Sequence, residues 1–324
     1  MRQRALSSYL KDIEDQLESQ PKVNVKMNAK KTNGYVETVN RYPFTGISNV
    51  TTPISQGDHT GFFWQIPRSG GTTLKRILGT CLHLVQASRT SSEVCDTASK
   101  AENKLHICKT PLGAFVNCDP SGDQGLQRCR EMELVPSGLA DVVVSSRFLN
   151  AASLFDPDHQ ARSFTIMRNP IERMVSTFYY QTQNEKGWKN MTMLEYVKRD
   201  DTPSNWMIRY LTGRMTAAKV TLEDLDLAKE ILERKFFIML TKEMEGSVKI
   251  LIRHMKYKVS DEGKNCIKEE LFKVQNHLVY PKVDMESEAI DLLKQMNELD
   301  IALYAHAVKL FSRQWINAVD VLGS

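Results

Sequence analysis

The sequence predicts an α/β fold, in which a parallel sheet is flanked by helices on both faces of a single main domain. Short apolar runs alternate with amphipathic stretches of helical period from about residue 58 onward. Two of the apolar runs end in loops that open a helix, as strands do at the carboxyl edge of a parallel sheet. A chain of 324 residues with 41% hydrophobic content is also long enough to bury one large core.

The predicted elements follow one another in the order that such a sheet requires. Helix 170–184 has the clearest start, because Asn169 suits the N-cap, Pro170 suits the first turn and Glu172 has capping-box spacing. The predicted strands are 61–66, 141–146, 162–167 and 235–240, and the predicted helices are 72–85, 147–155, 170–184, helices near 192–212, 222–234, 243–256 and 285–315.

Two regions lie outside this alternation. Residues 1–57 are expected to form a short amphipathic helix on Leu6, Leu10, Ile13 and Leu17, followed by a stem or linker. Residues 86–140 are expected to be an irregular, cysteine-containing insertion in a main domain that covers 58–324. No stretch of 18 apolar residues occurs in the sequence, so any membrane attachment is expected to use a segment outside it.

A glycine-rich turn after the first predicted strand is the strongest functional signal. Residues Phe62–Leu74 form an apolar run that stops at a proline and turns through two glycines into a helical segment. Backbone N–H groups in such a turn converge on an anion, and the next helix points its positive dipole end at the same place. The alternative is an ordinary turn between a strand and a helix. The candidate anion ligands are Arg68, Ser69, Gly70, Gly71, Thr72 and Thr73.

A second anion site is predicted where strand 162–167 meets helix 170–184. Arg168 stands at the end of the strand, and Ser176 lies about two helical turns later, on the polar face with Arg173 and Tyr180. Arg168 and Ser176 are the expected anion ligands. The alternative is a well-capped core helix whose arginines are solvated.

Both motifs, taken in order, resemble sulfotransferases that use 3′-phosphoadenosine 5′-phosphosulfate (PAPS), which share a P-loop-like α/β fold. Pro67–Thr73 is similar to their 5′-phosphosulfate loop, and Arg168–Ser176 is similar to their 3′-phosphate site. The resemblance covers about residues 58–315 and is closer to the membrane-anchored, carbohydrate-type branch. It implies PAPS as the sulfuryl donor, 3′-phosphoadenosine 5′-phosphate (PAP) as the product, and no required metal.

The resemblance gives Arg68 a catalytic position, where many members carry a lysine beside the leaving group. Arginine supplies charge and hydrogen bonds there, but its pKa makes it a poor proton donor. A base for the acceptor is harder to identify, since Arg147 stands where relatives often have histidine. His106 is the preferred substitute, with a structural histidine as the alternative. Further candidates for the base are Glu93, Glu102 and His159.

The acceptor is expected to be a carbohydrate or another small molecule with a hydroxyl or amine. Arg147 and Arg209 are the candidate acceptor-binding residues, although a surface salt bridge is an equal alternative for Arg209. A net charge of +4, with acidic residues interspersed among basic ones, does not favour nucleic acid as a partner.

Two other functions stay open. A PAPS- or PAP-binding protein without catalysis would fit the arginines at positions 68 and 147. A P-loop kinase is less favoured, because the Gly-Lys-Ser/Thr order of nucleotide-triphosphate loops is missing. Neither the acceptor's identity nor the oligomeric state is indicated.

Six cysteines bear on the cellular compartment. Five of them lie in residues 81–129, with spacings that do not match a zinc site, so disulfides and buried free thiols are the two alternatives. Asn49 and Asn190 begin N-glycosylation sequons. The resemblance favours the Golgi lumen or the secretory pathway, with the cytoplasm as the alternative.

Overall fold

A computed structural model describes residues 44–53, 59–90, 95, 104–215, 219–277 and 283–320. Within these residues, seven strands form a single sheet. The strands are β1 (Thr60–Trp64), β2 (Gln86–Ala87), β3 (Ile107–Thr110), β4 (Gly113–Val116), β5 (Val142–Ser145), β6 (Ala161–Met167) and β7 (Phe236–Leu240). Their order across the sheet is β3-β4-β2-β5-β1-β6-β7. All neighbours pair in parallel except the antiparallel β3 and β4.

Helices flank this sheet in one domain, so the predicted α/β fold is confirmed. The helices are α1 (Gly71–Arg76), α2 (Asp123–Glu131), α3 (Phe148–Ala152), α4 (Pro170–Asn184), α5 (Met193–Val197), α6 (Trp206–Thr212), α7 (Leu222–Lys235), α8 (Met244–His254), α9 (Asp261–His277), α10 (Glu288–Met296) and α11 (Glu298–Asp320). A π-helical turn, Ile77–Cys81, continues α1, and 3-10 turns occur at Lys186–Trp188 and Thr241–Glu243. No helix in the described part of the chain is long and apolar enough to cross a membrane.

The core is centred on β1 and its neighbours. Phe62, Phe63 and Trp64 of β1 are completely buried, and every residue of β5, β6 and β7 is buried as well. Successive strand residues point to opposite faces, so both faces of this sheet are covered. Each large apolar side chain buried in this way contributes roughly 1.5–3 kcal/mol to stability. A ligand can therefore reach these strands only at their ends.

The carboxyl ends of β1 and β6 form a topological switch point. After β1 the chain crosses to β2, on the side of β5, whereas after β6 it crosses to β7 on the opposite side. The helices that follow two such neighbouring strands diverge and leave a crevice between them, where ligands of open α/β sheets usually bind. Both predicted anion motifs begin at this crevice.

The described residues of the region 86–140 contain regular secondary structure, which corrects the prediction of an irregular insertion for that part of it. They contain β2, the β3–β4 hairpin, the helix α2 and the segment that leads into β5. β2 has two residues and β3 is largely exposed on one side, so neither strand gives the apolar signal of a buried strand.

The predicted long helix 285–315 is two helices, α10 and α11, which are interrupted at Asn297. The side chain of Asn297 donates to the Leu293 carbonyl at 2.9 Å and accepts from the Asn205 amide at 3.0 Å. An asparagine that bonds backbone groups in this way competes with helix continuation. The helix α9 was not predicted at all.

The folded domain also begins earlier than the predicted boundary at residue 58. Phe44 stacks on Phe148 with ring centroids 5.3 Å apart, and Ile47 bridges to Ala161 at the start of β6. Phe44, Ile47 and Ser48 are buried, so residues 44–48 pack into the core rather than forming a stem. The predicted helix on Leu6 to Leu17 lies outside the described residues.

All six cysteines form disulfides, which decides between the two alternatives for them. Cys95–Cys108 and Cys118–Cys129 close short loops in the region 86–140, and Cys81–Cys266 ties the π-helical turn behind α1 to α9. Three disulfides fit a protein of an oxidising secretory compartment and not one of the cytoplasm.

Candidate functional site

The glycine-rich turn between β1 and α1 has a strained backbone that tertiary contacts hold in place. Arg68 has a φ of 64° and Gly70 a φ of 91°, both in the left-handed region. Such a conformation costs a non-glycine residue about 1–3 kcal/mol and is concentrated at functional sites. The Thr241 hydroxyl lies 2.7 Å from the Ser69 carbonyl and 3.1 Å from the Met167 carbonyl, so it ties the turn to the end of β6.

The Arg68 side chain joins the two predicted anion motifs. Its Nε donates to the Ser176 hydroxyl at 3.2 Å, and its guanidinium lies 4.5 Å from the centre of the Tyr180 ring. Arg168 Nη1 donates to the Arg68 carbonyl at 3.3 Å. Residues about a hundred positions apart in the sequence therefore meet at the switch point.

A chain of charges continues from Arg168 along α4. Arg168 Nε is 3.4 Å from Glu172 Oε2, and the other oxygen of Glu172 is 3.1 Å from Lys242 Nζ. The predicted N-cap is confirmed, because the Asn169 side chain accepts from the Ile171 amide at 2.9 Å. Arg168 is thus oriented by α4 itself, with two cations and one carboxylate at the mouth of the crevice.

The hydroxyls of the turn have different surroundings. Ser69 is completely buried, and its Oγ has no hydrogen-bond partner within the described part of the chain. A buried hydroxyl without a partner costs about 1–3 kcal/mol. Thr72 is exposed at the start of α1, while Thr73 is buried. The turn therefore offers hydroxyls and backbone N–H groups, flanked by the two guanidinium groups of Arg68 and Arg168, and this donor set fits a phosphate or sulfate.

Arg173 does not share the ligand face with Ser176, which corrects that part of the prediction. It is 2% exposed, and its guanidinium lies 5.6 Å from the Trp206 ring. Burial lowers the pKa of Arg173 and raises the pKa of the nearby buried Asp300. Asp300 in turn accepts from the Met207 and Ile208 amides at 2.9 and 3.0 Å. This buried network fixes α4, α6 and α11 to one another.

The two predicted acceptor-binding arginines have structural partners. Arg147, just after β5, places Nη1 2.8 and 3.0 Å from the two oxygens of Asp123. Arg209 of α6 donates to the Ser204 and Arg214 carbonyls at 2.9 and 3.0 Å. Arg209 therefore fastens the loops that flank its own helix, and the structure does not bring it to the glycine-rich turn.

The candidate bases are not brought to the turn either. His106 lies at the correct end of the sheet, beside Asn117, but it precedes the edge strand β3. Four strand spacings separate β3 from β1, which is roughly 19 Å. His159 is exposed and contacts Asp156 at 3.1 Å. Glu93 and Glu102 lie outside the described residues.

A cleft of about 800 Å³ opens beside the turn, and among its lining residues Gln65 and Lys75 were missed by the motif search. Gln65, Thr72 and Tyr180 form one wall, and Lys75 lies further along α1. The Lys75 Nζ donates to the Arg89 carbonyl at 2.9 Å, and burial lowers the pKa of Lys75. The three-residue spacing from Thr72 to Lys75, which places both on one helix face, could have indicated this residue.

Comparisons with known proteins do not identify the chain. No protein-family model matches the sequence, and no curated protein is significantly similar to it. Among the described residues, no group of three or more histidines, cysteines or carboxylates is arranged to hold a metal ion. Function is therefore argued from the geometry of the turn and the cleft.

Proposed function

We propose that this protein is a sulfotransferase that moves a sulfuryl group from PAPS to a hydroxyl or amine of a carbohydrate or another small acceptor. One observation carries the proposal. The hydrogen bond from Arg68 to Ser176 joins two anion-binding motifs across the crevice at the switch point of the sheet. PAPS carries anionic groups at both ends of its ribose phosphate framework, so it matches a pair of adjoining anion sites.

Each end of the donor would have its own ligands. Arg68, Ser69, Gly70, Gly71, Thr72 and Thr73 would hold the 5′-phosphosulfate, and Arg168 with Ser176 would hold the 3′-phosphate. The left-handed turn at Gly70, next to the guanidinium groups of Arg68 and Arg168, supports this use of the loop. The donor supplies an activated sulfuryl group whose leaving group is a phosphate.

In this mechanism the protein contributes position and charge. Arg68 is held by Ser176 and Tyr180, so its charge is fixed before any ligand arrives. A preorganised cation beside a leaving oxygen stabilises negative charge as it develops there. Because a guanidinium keeps its proton near neutral pH, Arg68 acts by electrostatics and hydrogen bonding and not as an acid.

The finer location that we propose is the Golgi lumen. The three disulfides support a secretory-pathway protein, and Asn49 and Asn190 of the two sequons are both exposed. A protein that binds PAP without transferring sulfate is the second candidate. It is favoured by Arg147 at the end of β5, because a guanidinium has no acceptor with which to take a proton from the sugar hydroxyl.

The proposal is tested by nucleotide selectivity. We expect PAP to raise the melting temperature of the protein more than ATP or AMP, since ATP and AMP lack the 3′-phosphate. Arg168→Ala should weaken PAP binding by at least about tenfold, because a hydrogen bond to a charged group is worth about 1.5–3 kcal/mol. The same substitution should leave AMP binding nearly unchanged, and Arg313→Ala, an exposed arginine on α11, is the matched control.

Transfer is then measured with labelled PAPS and a panel of hydroxylated acceptors. Sulfate transfer that Arg168→Ala abolishes is the expected result. Tight PAP binding with no transfer would select the second candidate. Equal stabilisation by PAP, ATP and AMP would contradict both, and magnesium-dependent ATP hydrolysis would point to a P-loop kinase or hydrolase instead.

A further inference from the structure

The cleft beside the glycine-rich turn has a local excess of positive charge. Lys75, Arg76 and Arg89 line it, and none of its described lining residues is an aspartate or a glutamate. The whole chain has 43 basic and 39 acidic residues, so three cations would ordinarily be accompanied by about as many carboxylates. The two neighbouring depressions do have mixed charge, with Asp123, Glu131 and Arg130 in one and Asp119 and Arg128 in the other.

The side chains of these three cations form only weak or few interactions with other described groups. Arg76 is 3.7 Å from Glu270, and its side chain is 46% exposed, which makes a pair of small energetic value. Lys75 gives one hydrogen bond to the Arg89 carbonyl, and it lies within the electrostatic reach of Asp119. Arg89 has an exposed side chain at the rim of the cleft. All three can therefore face an anion in the cleft.

The other residues that line the cleft suit a sugar. Ser121 and Ser146 line the cleft with polar groups, and the Tyr180 ring, which is 48% exposed, supplies apolar surface. Hydroxyl groups and aromatic faces are what a carbohydrate needs for orientation, and a cleft of one sign of charge concentrates ligands of the opposite sign.

We propose that this cleft binds a carbohydrate acceptor that carries carboxylate or sulfate groups of its own. The inference rests on the proposed function, and it adds the substrate class that the two nucleotide motifs leave open. Lys75, Arg76 and Arg89 are distinct from Arg68 and Arg168, which would be occupied by the nucleotide. The acceptor's negative groups would lie along α1 and the segment after β2, with the reacting hydroxyl toward Thr72 and the turn.

A binding experiment tests the proposal without requiring turnover. Two labelled hexasaccharides are compared by fluorescence anisotropy in the presence of saturating PAP: one that bears carboxylates and sulfates, and the same chain after carboxyl reduction and desulfation. We expect the anionic probe to bind at least about tenfold more tightly, with the difference shrinking as salt is raised.

Substitutions assign the effect to the cleft. Arg89→Glu should weaken binding of the anionic probe by about tenfold, since an attractive charge becomes repulsive, and Arg89→Lys should retain most of it. The control is Lys309→Glu, which makes the same charge change at an exposed position of α11, a helix that packs against β7. Neither variant should alter PAP binding, which is measured separately by the thermal shift.

Three outcomes would overturn the inference. Equal binding of the two probes, or no binding of either, would show that the cleft does not select anionic carbohydrate. Loss of PAP affinity in Arg89→Glu would assign these cations to the nucleotide. An equal loss of binding in Lys309→Glu would show that the net charge of the protein, and not the cleft, determines binding of the anionic probe. If PAP itself fails to bind the wild type selectively, the proposed function fails first, and the two failures are thereby distinguished.

Discussion

At the scale of single residues, buried ionisable groups show how this fold tolerates charge. Arg162 of β6 is buried, and its guanidinium donates to the Asn49, Val50 and Thr52 carbonyls, the first at 2.7 Å. His254 lies near it, stacked on Phe237 with centroids 4.4 Å apart. The two terminal nitrogens of Arg162 are satisfied by carbonyls, whereas Arg162 Nε and His254 Nε2 have no partner in the described residues. Burial, with a smaller contribution from Arg162, lowers the pKa of His254 to about 4.

The pKa of His254 predicts a loss of stability in mild acid. The unfolded chain binds a proton at this histidine near pH 6.5 and the folded chain only near pH 4, so the free energy of unfolding falls as pH falls through this interval. The full effect is up to about 3 kcal/mol. His254→Phe should remove that part of the pH dependence. Urea titrations of both proteins at pH 7 and pH 5 measure it, and parallel losses in the two proteins would contradict the assignment.

At the scale of elements, the turn after β1 shows what sequence patterns can and cannot predict. The motif Pro67–Thr73 predicted a strand-to-helix turn that meets Arg168 and Ser176, because glycines, a cap and a strand are local signals. It could not predict that Thr241 holds the turn or that Tyr180 stacks on Arg68, since these contacts depend on where β7 and α4 pack. The prediction placed Arg173 on the ligand face for a related reason. Helical periodicity predicts which face of α4 a residue lies on, but it cannot reveal the buried carboxylate of Asp300 that attracts Arg173.

Gly70 provides a prediction for this element. Its φ of 91° disfavours any side chain, and an added Cβ would lie 2.7 Å from Met244 Cε. Gly70→Ala should therefore lose about 1–2 kcal/mol of stability and most of its PAP affinity. Gly138→Ala is the control, since Gly138 has a φ of 66° and an added Cβ there meets nothing within 4 Å. Gly138→Ala should cost similar stability and leave PAP binding intact, as calorimetry would show. Unchanged PAP affinity in Gly70→Ala would count against the turn as the anion site.

At the scale of the whole molecule, disulfides connect parts of the chain that the sheet alone leaves apart. Cys81–Cys266 spans 185 residues, whereas Cys118–Cys129 spans 11. A crosslink removes more conformational freedom from the unfolded chain when its loop is longer. The Cys81–Cys266 disulfide also holds the π-helical turn that continues α1 after the glycine-rich turn. The stability of the fold and the geometry of the candidate site therefore depend on the same bond.

Paired substitutions should therefore differ in cost. Replacing Cys81 and Cys266 together by serine should lower the free energy of unfolding by about 5 kcal/mol on the loop-entropy scale, and replacing Cys118 and Cys129 by about 3 kcal/mol. Urea denaturation without reductant measures both losses. A larger loss for the short loop would mean that contacts within the region 86–140, and not loop closure, determine its stability.

The same long link has a consequence for biosynthesis. Cys81 emerges from the ribosome well before Cys266, and the intervening segment carries β2 through α8. The Cys81–Cys266 bond can form only after all seven strands of the sheet have been translated. A nascent chain that ends before residue 266 would therefore have an α1 segment that is not yet linked to α9, and the crevice beside it would reach its final form only after this disulfide is oxidised.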